Sequence, residues 1–358
     1  MQNPAMTRGV EVASNLITLK SPHELLAIVP FVLGFRPTNS IVVLCLSQHR
    51  LGLTQRLDLP RPEHARQVAL ALMPSLVAED PDGVVLVGYE NRAGDSEPAL
   101  ESLTAALQSR DVEIHDRLVV RDDRWRSLDC HNRDCCPPEG SPMPEPADAP
   151  RIVAEFVGQG ISPYPDRAAL AQQLEPGPEA VLVAKVLRSQ QKAMAKGAGS
   201  QGVTRAELFA AWPRILNPDA TTITAEDAVF AAMPLLDIEI RDGLVAWLSP
   251  GTLNINELGD EVQELFCGLE QAWGEEHSDL TLIASQNAVQ DRLVQLCAML
   301  PDHVATPALS VLASFVWWRG DGALARIALA RALRCDPGYR LAQLLQQMVD
   351  LAIRPVAV

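Results

Sequence analysis

Aromatic residues are scarce in this chain of 358 residues, where six Trp, three Tyr and seven Phe make up 4% of the composition. Hydrophobic residues still account for 47% and charged residues for 21%, as in ordinary folded domains, which excludes extensive disorder. Leu, Val, Ile and Ala must therefore fill the cores. Because a single core rarely grows beyond about 250–300 residues, the length predicts two domains.

A membrane segment and a secretion signal are also lacking. The longest apolar runs, 25–35 and 308–318, are shorter than the roughly 20 residues that span a bilayer. Arg8 is not followed by the apolar core of a signal peptide. The seven cysteines are an odd number, so we expect reduced thiols and no disulfide framework. The prediction is a cytoplasmic protein.

Basic residues are fewer than acidic ones. The chain has 30 Lys and Arg and 45 Asp and Glu, which gives a formal net charge of −15. This balance repels phosphate backbones and anionic membrane surfaces. We therefore expect no broad nucleic-acid-binding surface and no membrane partner. The small basic group Arg121, Arg124 and Arg126 is typical of the solvated face of a hairpin.

The familiar catalytic motifs are missing. No G-x-S-x-G elbow and no Walker phosphate loop occurs. Residues 197–202 match G-x-G-x-x-G, but they follow a polar helical segment and not a strand, so they indicate a flexible connection. His23 and Glu24 begin a zinc-protease pattern that lacks its second histidine and belong to a helix cap instead. No organic cofactor is predicted.

The N-terminal part alternates between helix and strand patterns. A helix begins after the capping residue Ser21 and ends at Gly34. Strand patterns follow at 41–46, 53–59, 84–87 and 112–120, and helical spacing at 63–77 and 100–107. The first two strands form a hairpin. We predict an α/β domain over residues 1–136, a layered mixed sheet with flanking helices.

A proline-rich segment follows this domain. Residues 137–150 contain six prolines, which favour neither a helix nor a central strand, so we predict a linker. Helical patterns then continue to the end, at 151–157, 167–174, 178–195, 204–216, 225–236, 257–273 and 280–300, followed by three terminal segments. An all-α helical domain over residues 151–358 is predicted, either a bundle or a short repeat array.

The end of the helical domain has the spacing of a tetratricopeptide-like hairpin. Counted back from Pro337, the small or apolar residues Ala332, Leu329, Ala325 and Ala313 fall at the offsets of such a unit. An ordinary Ala-rich hairpin closed by residues 320–322 is the alternative. Either hairpin offers a surface to a protein partner.

The most unusual chemistry lies just past the last predicted strand, where loops often carry sites. Three of the seven cysteines fall there, and we call Cys130, Cys135 and Cys136 the cysteine cluster. The candidate thiol or ligand residues are Cys130, His131, Asp134, Cys135, Cys136 and Glu139. Zinc is the candidate ion, because zinc favours sulfur and imidazole ligands.

Three interpretations of these residues stay open. The first is a zinc site, although the adjacent Cys135 and Cys136 should point apart along an extended chain. The second is a reactive thiol, which Arg133 and the neighbouring histidine favour and which Asp134 and Glu139 oppose. The third is a structural loop that joins the two domains, with the thiols packed as small hydrophobic groups between rigid prolines.

Several motifs together resemble one known family. They are the segment 34–40, Trp125 ahead of Cys130, the Cys-Cys-Pro-Pro-Glu-Gly element at 135–140, the segment 318–322, and Asp336 with Pro337. These resemble the actinobacterial family of domain of unknown function 4192 over most of the chain. The resemblance implies an actinobacterial or actinophage origin and brings no activity or catalytic residue. Ser141 and Met143 replace an expected Thr and Val.

Two functions follow from the sequence. The leading hypothesis is a non-enzymatic interaction or regulatory protein whose helical domain binds a protein partner. The competing hypothesis is a metal- or thiol-dependent enzyme centred on the cysteine cluster, in which His131, Asp134 or Glu139 acts as ligand or proton-transfer group.

Overall fold

The computed structural model describes residues 21–47, 50–144, 151–158, 161–195, 205–217, 222–267, 269 and 280–353. The chain divides into two compact units, of which one ends at Arg167 and the other begins at Ala168. We call them the α/β unit and the helical unit. No helix in the described part of the chain is both long and apolar enough to cross a membrane.

The α/β unit contains one mixed sheet. Its strands are β1 (Ser40–Ser47), β2 (Arg50–Asp58), β3 (Gly83–Tyr89), β4 (Glu113–Arg121), β5 (Arg124–Ser127) and β6 (Ser141–Pro142). The strand order is β2-β1-β3-β4-β5-β6. Only β3 and β4 run parallel, and the other neighbours are antiparallel. The predicted mixed sheet and its first hairpin are confirmed.

Strand β6 was not predicted, because Pro142 and the prolines around it argue against a strand. Its position explains why it is tolerated. The strand is two residues long and pairs with β5 at the edge of the sheet, where a missing backbone N–H breaks no ladder.

Helices flank the sheet. They are α1 (Pro22–Leu33), α2 (Ala65–Ala78) after a 3-10 turn (Pro62–His64), α3 (Glu97–Gln108) and α4 (Arg151–Gly158). Helix α1 begins where the Ser21 hydroxyl accepts a hydrogen bond from the Glu24 N–H at 3.3 Å, and it ends at Gly34 with a φ of 74°. Helices α2 and α3 pack together, and α1 contacts β2 and α4.

A row of cross-strand partners runs across all six strands on one face of the sheet. It contains Asp58, Ser40, Tyr89, Val120, Trp125 and Ser141. The hydroxyls of Ser40 and Tyr89 and the indole nitrogen of Trp125 are buried and have no hydrogen-bond partner. Burial raises the pKa of Tyr89 above its usual 10.0. The sheet thus contains buried polar groups that its own side chains do not satisfy.

The helical unit follows. Its helices are α5 (Arg167–Gln172, which spans the boundary), α6 (Glu179–Ala195), α7 (Arg205–Phe209), α8 (Trp212–Leu216), α9 (Ala225–Ala232), α10 (Ile238–Leu248), α11 (Asp260–Cys267), α12 (Leu280–Met299), α13 (Asp302–Trp318), α14 (Gly322–Cys335) and α15 (Arg340–Asp350), with 3-10 turns at Pro234–Leu236 and Ile255–Glu257. The predicted all-α character of this half is confirmed.

Two details differ from the sequence prediction. The helix expected over 204–216 is two helices, because Pro213 starts a new one at its first turn. Helix α10 was missed, since β-branched residues and Gly243 lower its helical propensity. Asp237 caps α10 by accepting the Glu239 N–H at 3.0 Å. A Cβ on Gly243 would lie 2.4 Å from the Phe266 ring, so packing requires the glycine.

The C-terminal hairpin is formed by α13 and α14. The residues Ala313, Ala325, Leu329 and Ala332 that predicted it are all buried. Asp321 caps α14 by accepting the Leu324 N–H at 2.9 Å. Helix α15 contacts both helices of the hairpin.

A buried arginine links several segments of the helical unit. Arg331 of α14 is only 1% exposed. Its guanidinium donates to the carbonyls of Leu174, Cys297 (2.7 Å) and Leu300 (2.8 Å) and to the Asp302 carboxylate at 3.0 Å. Carbonyls at helix ends lack partners within their own helix, so this side chain satisfies groups that would otherwise be buried and unpaired.

Candidate thiol-metal site

The cysteine cluster lies in a loop, residues 128–140, that connects β5 to β6 at the edge of the sheet. We call it the cysteine loop. Its chain turns between Asn132 and Cys136, because the Cys136 N–H donates to the Asn132 carbonyl at 2.8 Å. The Asn132 side chain supports this turn by accepting the Asp134 N–H at 3.0 Å.

The turn brings the three sulfurs together. The Cys130 and Cys135 Sγ atoms are 3.2 Å apart, and those of Cys135 and Cys136 are 3.9 Å apart. All three lie within 4.8 Å of one another. The expectation that Cys135 and Cys136 point apart was wrong, because it assumed an extended chain and the chain here is a turn.

Hydrogen bonds fix the start of the cysteine loop. The Ser127 hydroxyl accepts the N–H groups of Asp129 (3.1 Å) and Cys130 (3.0 Å), and it donates to the Asp116 carboxylate at 2.5 Å. The Asp129 carboxylate in turn accepts from the Arg117 guanidinium at 2.5 Å. That hydrogen bond holds the pKa of Asp129 below its usual range. The backbone of Cys130 is therefore bound to Ser127 on β5, and through Ser127 it is linked to Asp116 on β4.

The end of the cysteine loop is fixed at Gly140. This residue has a φ of 77°, and a Cβ on it would lie 2.9 Å from the Trp125 carbonyl oxygen, so only glycine fits. The Arg124 guanidinium donates to the carbonyls of Gly140 at 2.6 Å and Glu139 at 2.9 Å. Arg124 lies on the predicted hairpin, where it also anchors the loop.

Hydrogen bonds among the three thiols change their pKa values in different directions. The hydrogen bond from Cys135, helped by the Asn132 N–H and the Cys136 thiol, lowers the pKa of Cys130. The same contact with Cys130 raises the pKa of Cys135 to about 11. Burial and the neighbouring Cys130 raise the pKa of Cys136. These contacts favour ionisation of Cys130 over that of Cys135 and Cys136.

The other candidate residues lie outside the sulfur group. His131, Asp134 and Glu139 are all exposed. Within the part of the chain that the structure describes, no histidine or carboxylate joins the three sulfurs as a further ligand. Glu139 contributes its backbone carbonyl to the loop, where it accepts from Arg124.

One protein family matches almost the whole chain. A model of the family described as domain of unknown function (DUF4192) matches residues 22–356. The chain belongs to this family. No curated protein and no solved structure matches the chain.

The sequence reasoning missed the residues that position the thiols in this DUF4192 chain. They are Asp116, Arg117, Arg124, Ser127 and Gly140. One local signal was available. Ser127 accepts the N–H groups of the residues two and three positions after it, which is a common turn pattern for serine. The partners contributed by β4 carry no such signal, since they depend on strand pairing.

The three sulfurs fit the geometry of a thiolate-metal site. Zinc–sulfur bonds of about 2.3 Å in a tetrahedron place the sulfurs roughly 3.8 Å apart. The Cys135–Cys136 separation of 3.9 Å is close to this value, and the Cys130–Cys135 separation of 3.2 Å is somewhat shorter. Soft thiolate ligands select zinc, copper(I) or iron–sulfur chemistry over calcium or magnesium.

Proposed function

We propose that the protein is a non-enzymatic cytoplasmic protein with a regulatory or interaction role, and that its cysteine cluster binds zinc. The observation that supports the zinc site is the convergence of three sulfurs within 4.8 Å on one turn. Hydrogen bonds hold the loop at both ends, at Ser127 and at Gly140, so little ordering is needed when the ion binds.

The zinc ion would be held by Cys130, Cys135 and Cys136 as thiolates. Binding removes protons from these thiols, because zinc coordinates the thiolate form. Cys135 is exposed and the other two are half-buried, so the ion would lie at the surface of the loop. The fourth ligand would then be water or a group from a partner.

An open fourth position is also the feature that favours the alternative function, a metal-dependent enzyme. A zinc-bound water needs a neighbouring group to take or relay its proton. Of the described residues, no imidazole or carboxylate lies within the sulfur group. The geometry therefore supports a binding or structural zinc site better than a hydrolytic one.

Metal content tests this proposal. The full-length protein, purified without chelator and with zinc in the medium, should contain one zinc per chain by elemental analysis. Cys130→Ser and Cys135→Ser should each lose it. Cys267→Ser is the matched control, since Cys267 is an exposed thiol outside the cluster, and it should keep the ion. Zinc-free protein that binds no added zinc would contradict the proposal, as would equal binding by all variants.

An exposed apolar stripe supports the interaction role of the helical unit. On α15 and its C-terminal end, Leu344, Met348 and Leu351 recur at helical spacing, and the two leucines are 40% and 56% exposed. Terminal repeats of helical arrays normally present a polar outer face to water, so exposed apolar side chains there favour a surface that a partner covers. A partner recovered with the wild type should be lost from Leu344→Glu/Leu351→Glu and retained by the control Val181→Glu. Loss from both variants or from neither would contradict this assignment.

A further inference from the structure

Two of the three sulfurs are close enough to react with each other. The Cys130 and Cys135 Sγ atoms are separated by 3.2 Å, and both thiols are free. We propose that Cys130 and Cys135 form a reversible disulfide that removes the metal ion from the cluster, making the site a redox switch. The release of metal rests on the proposed zinc site, whereas the disulfide itself does not.

The choice of this pair follows from the chain geometry. Cys135 and Cys136 are adjacent, and across a trans peptide their Cα atoms are about 3.8 Å apart, below the roughly 4.4 Å that disulfides normally need. Cys130 and Cys135 face each other across the turn, and their sulfurs, 3.2 Å apart, are closer than those of Cys135 and Cys136, which are 3.9 Å apart.

An oxidant in solution can reach Cys130 and Cys135. Cys135 is exposed and Cys130 is half-buried in a surface loop. The hydrogen bonds at Ser127 and Gly140 hold the chain on either side, so the bond can form by a local movement that leaves β5 and β6 paired. Accessible, adjacent thiols are the usual setting of redox-sensitive cysteines.

The reaction balances with hydrogen peroxide as the oxidant. A thiolate of one cysteine attacks a peroxide oxygen, the O–O bond breaks, and a sulfenic acid and water are produced after proton transfer. The thiol of the other cysteine then attacks the sulfenic sulfur, forms the S–S bond and expels a second water. Two thiols lose two electrons and two protons, and the peroxide is reduced to two waters. A dithiol reductant reverses the change.

Oxidation would remove two of the three sulfur ligands. Cys136 would remain as a single thiolate, and one thiolate with water ligands does not hold zinc against dilution. The reduced chain should therefore be zinc-loaded and the oxidised chain zinc-free. The expected ratio is one zinc released for each disulfide formed.

Peptide mapping of the full-length protein tests the switch. The wild type is treated with hydrogen peroxide, the remaining thiols are alkylated, and the digest is analysed by mass spectrometry. A zinc-binding dye follows release of the ion in parallel, and the measurement is repeated on protein stripped of metal. A Cys130–Cys135 linked peptide is expected in both samples, and a dithiol reductant should remove it.

Cysteine variants test which two thiols form the disulfide. Cys136→Ser should still form the linked peptide, whereas Cys130→Ser and Cys135→Ser should not. Cys267→Ser should behave as the wild type. Oxidation to sulfinic acids without a linked peptide would overturn the proposal, and so would a link that involves Cys136 in the wild type.

The two proposals fail in different ways. If the reduced protein binds zinc and peroxide forms no linked peptide, the switch is wrong and the zinc site stands. If the metal-free protein forms the linked peptide and no preparation binds zinc, the disulfide stands and the zinc site, with its release, is wrong.

Discussion

The two units of this chain differ in where their most distinctive polar groups lie. In the helical unit, the buried Arg331 has hydrogen bonds from all three guanidinium nitrogens, to carbonyls and a carboxylate. In the α/β unit, the three thiols of the cysteine cluster lie in a surface loop, where Cys135 is exposed and the other two are half-buried. Arg331 therefore satisfies buried groups inside the helical unit, whereas the thiols of the α/β unit lie within reach of metal ions and oxidants. Both units also contain buried polar atoms without a partner among the described residues, such as the Tyr89 hydroxyl in one and the Trp212 indole nitrogen in the other.

The largest expected effect is in the helical unit. Arg331→Met should lower its free energy of unfolding by about 3–5 kcal/mol, because it leaves buried carbonyls unpaired. Arg334→Met is the matched control, since Arg334 pairs with Glu175 at an exposed position and should cost less than about 1 kcal/mol. Denaturant titration followed by circular dichroism measures both. Similar losses for the two variants would mean that the buried hydrogen bonds of Arg331 contribute no more than an exposed ion pair.

A smaller effect is expected at the end of the cysteine loop. Gly140→Ala should destabilise the α/β unit by about 1–3 kcal/mol, because its φ of 77° is unfavourable for alanine and the added Cβ would meet the Trp125 carbonyl. Zinc affinity should fall as well. Gly158→Ala is the control, since among the described residues no atom beyond its chain neighbours and its own helix backbone lies within 4 Å of the added Cβ. Unchanged stability and zinc binding in Gly140→Ala would mean that this anchor does not position the thiols.

The smallest expected effect on the free energy of unfolding is a gain and not a loss. Tyr89→Phe removes a buried hydroxyl without a partner, so it should leave stability unchanged or raise it by about 1 kcal/mol. A clear loss of stability on thermal unfolding would show that the hydroxyl has a partner such as a bound water or ligand.

The same variant should change the alkaline pH dependence. Burial raises the pKa of Tyr89 in the folded chain above its usual 10.0, so the folded state keeps a proton that the unfolded state loses. The wild type should therefore lose stability as the pH rises above about 10, and Tyr89→Phe should lose less. Parallel slopes for the two proteins between neutral pH and pH values above this range would contradict the assignment.

Much of the fold could be predicted because it depends on local patterns. The continuous apolar runs of β1 and β3 and the cap at Ser21 predicted elements that the structure contains. Helix α10 was missed because its packing, not its propensity, decides its conformation. The contacts of Arg331 were beyond prediction, since its partners lie between 29 and 157 residues away in sequence.

The candidate site was only partly predictable for the same reason. Its cysteines and their loop are evident in the sequence, but the convergence of their sulfurs depends on a turn. The turn needs the Asn132 carbonyl, while the Ser127 hydroxyl, itself held by Asp116 on β4, positions Cys130 before the turn. Strand pairing, which a single sequence does not give, therefore decides whether the thiols meet.

Zinc-edge X-ray absorption of the reduced full-length protein tests the central claim most directly, because it counts the sulfurs bound to the ion. The account predicts three sulfur neighbours at about 2.3 Å and one lighter atom. In Cys135→Ser this count should fall or the ion should be lost, whereas Cys267→Ser should match the wild type. A bound zinc with only nitrogen and oxygen neighbours, or a spectrum that Cys135→Ser leaves unchanged, would contradict the account.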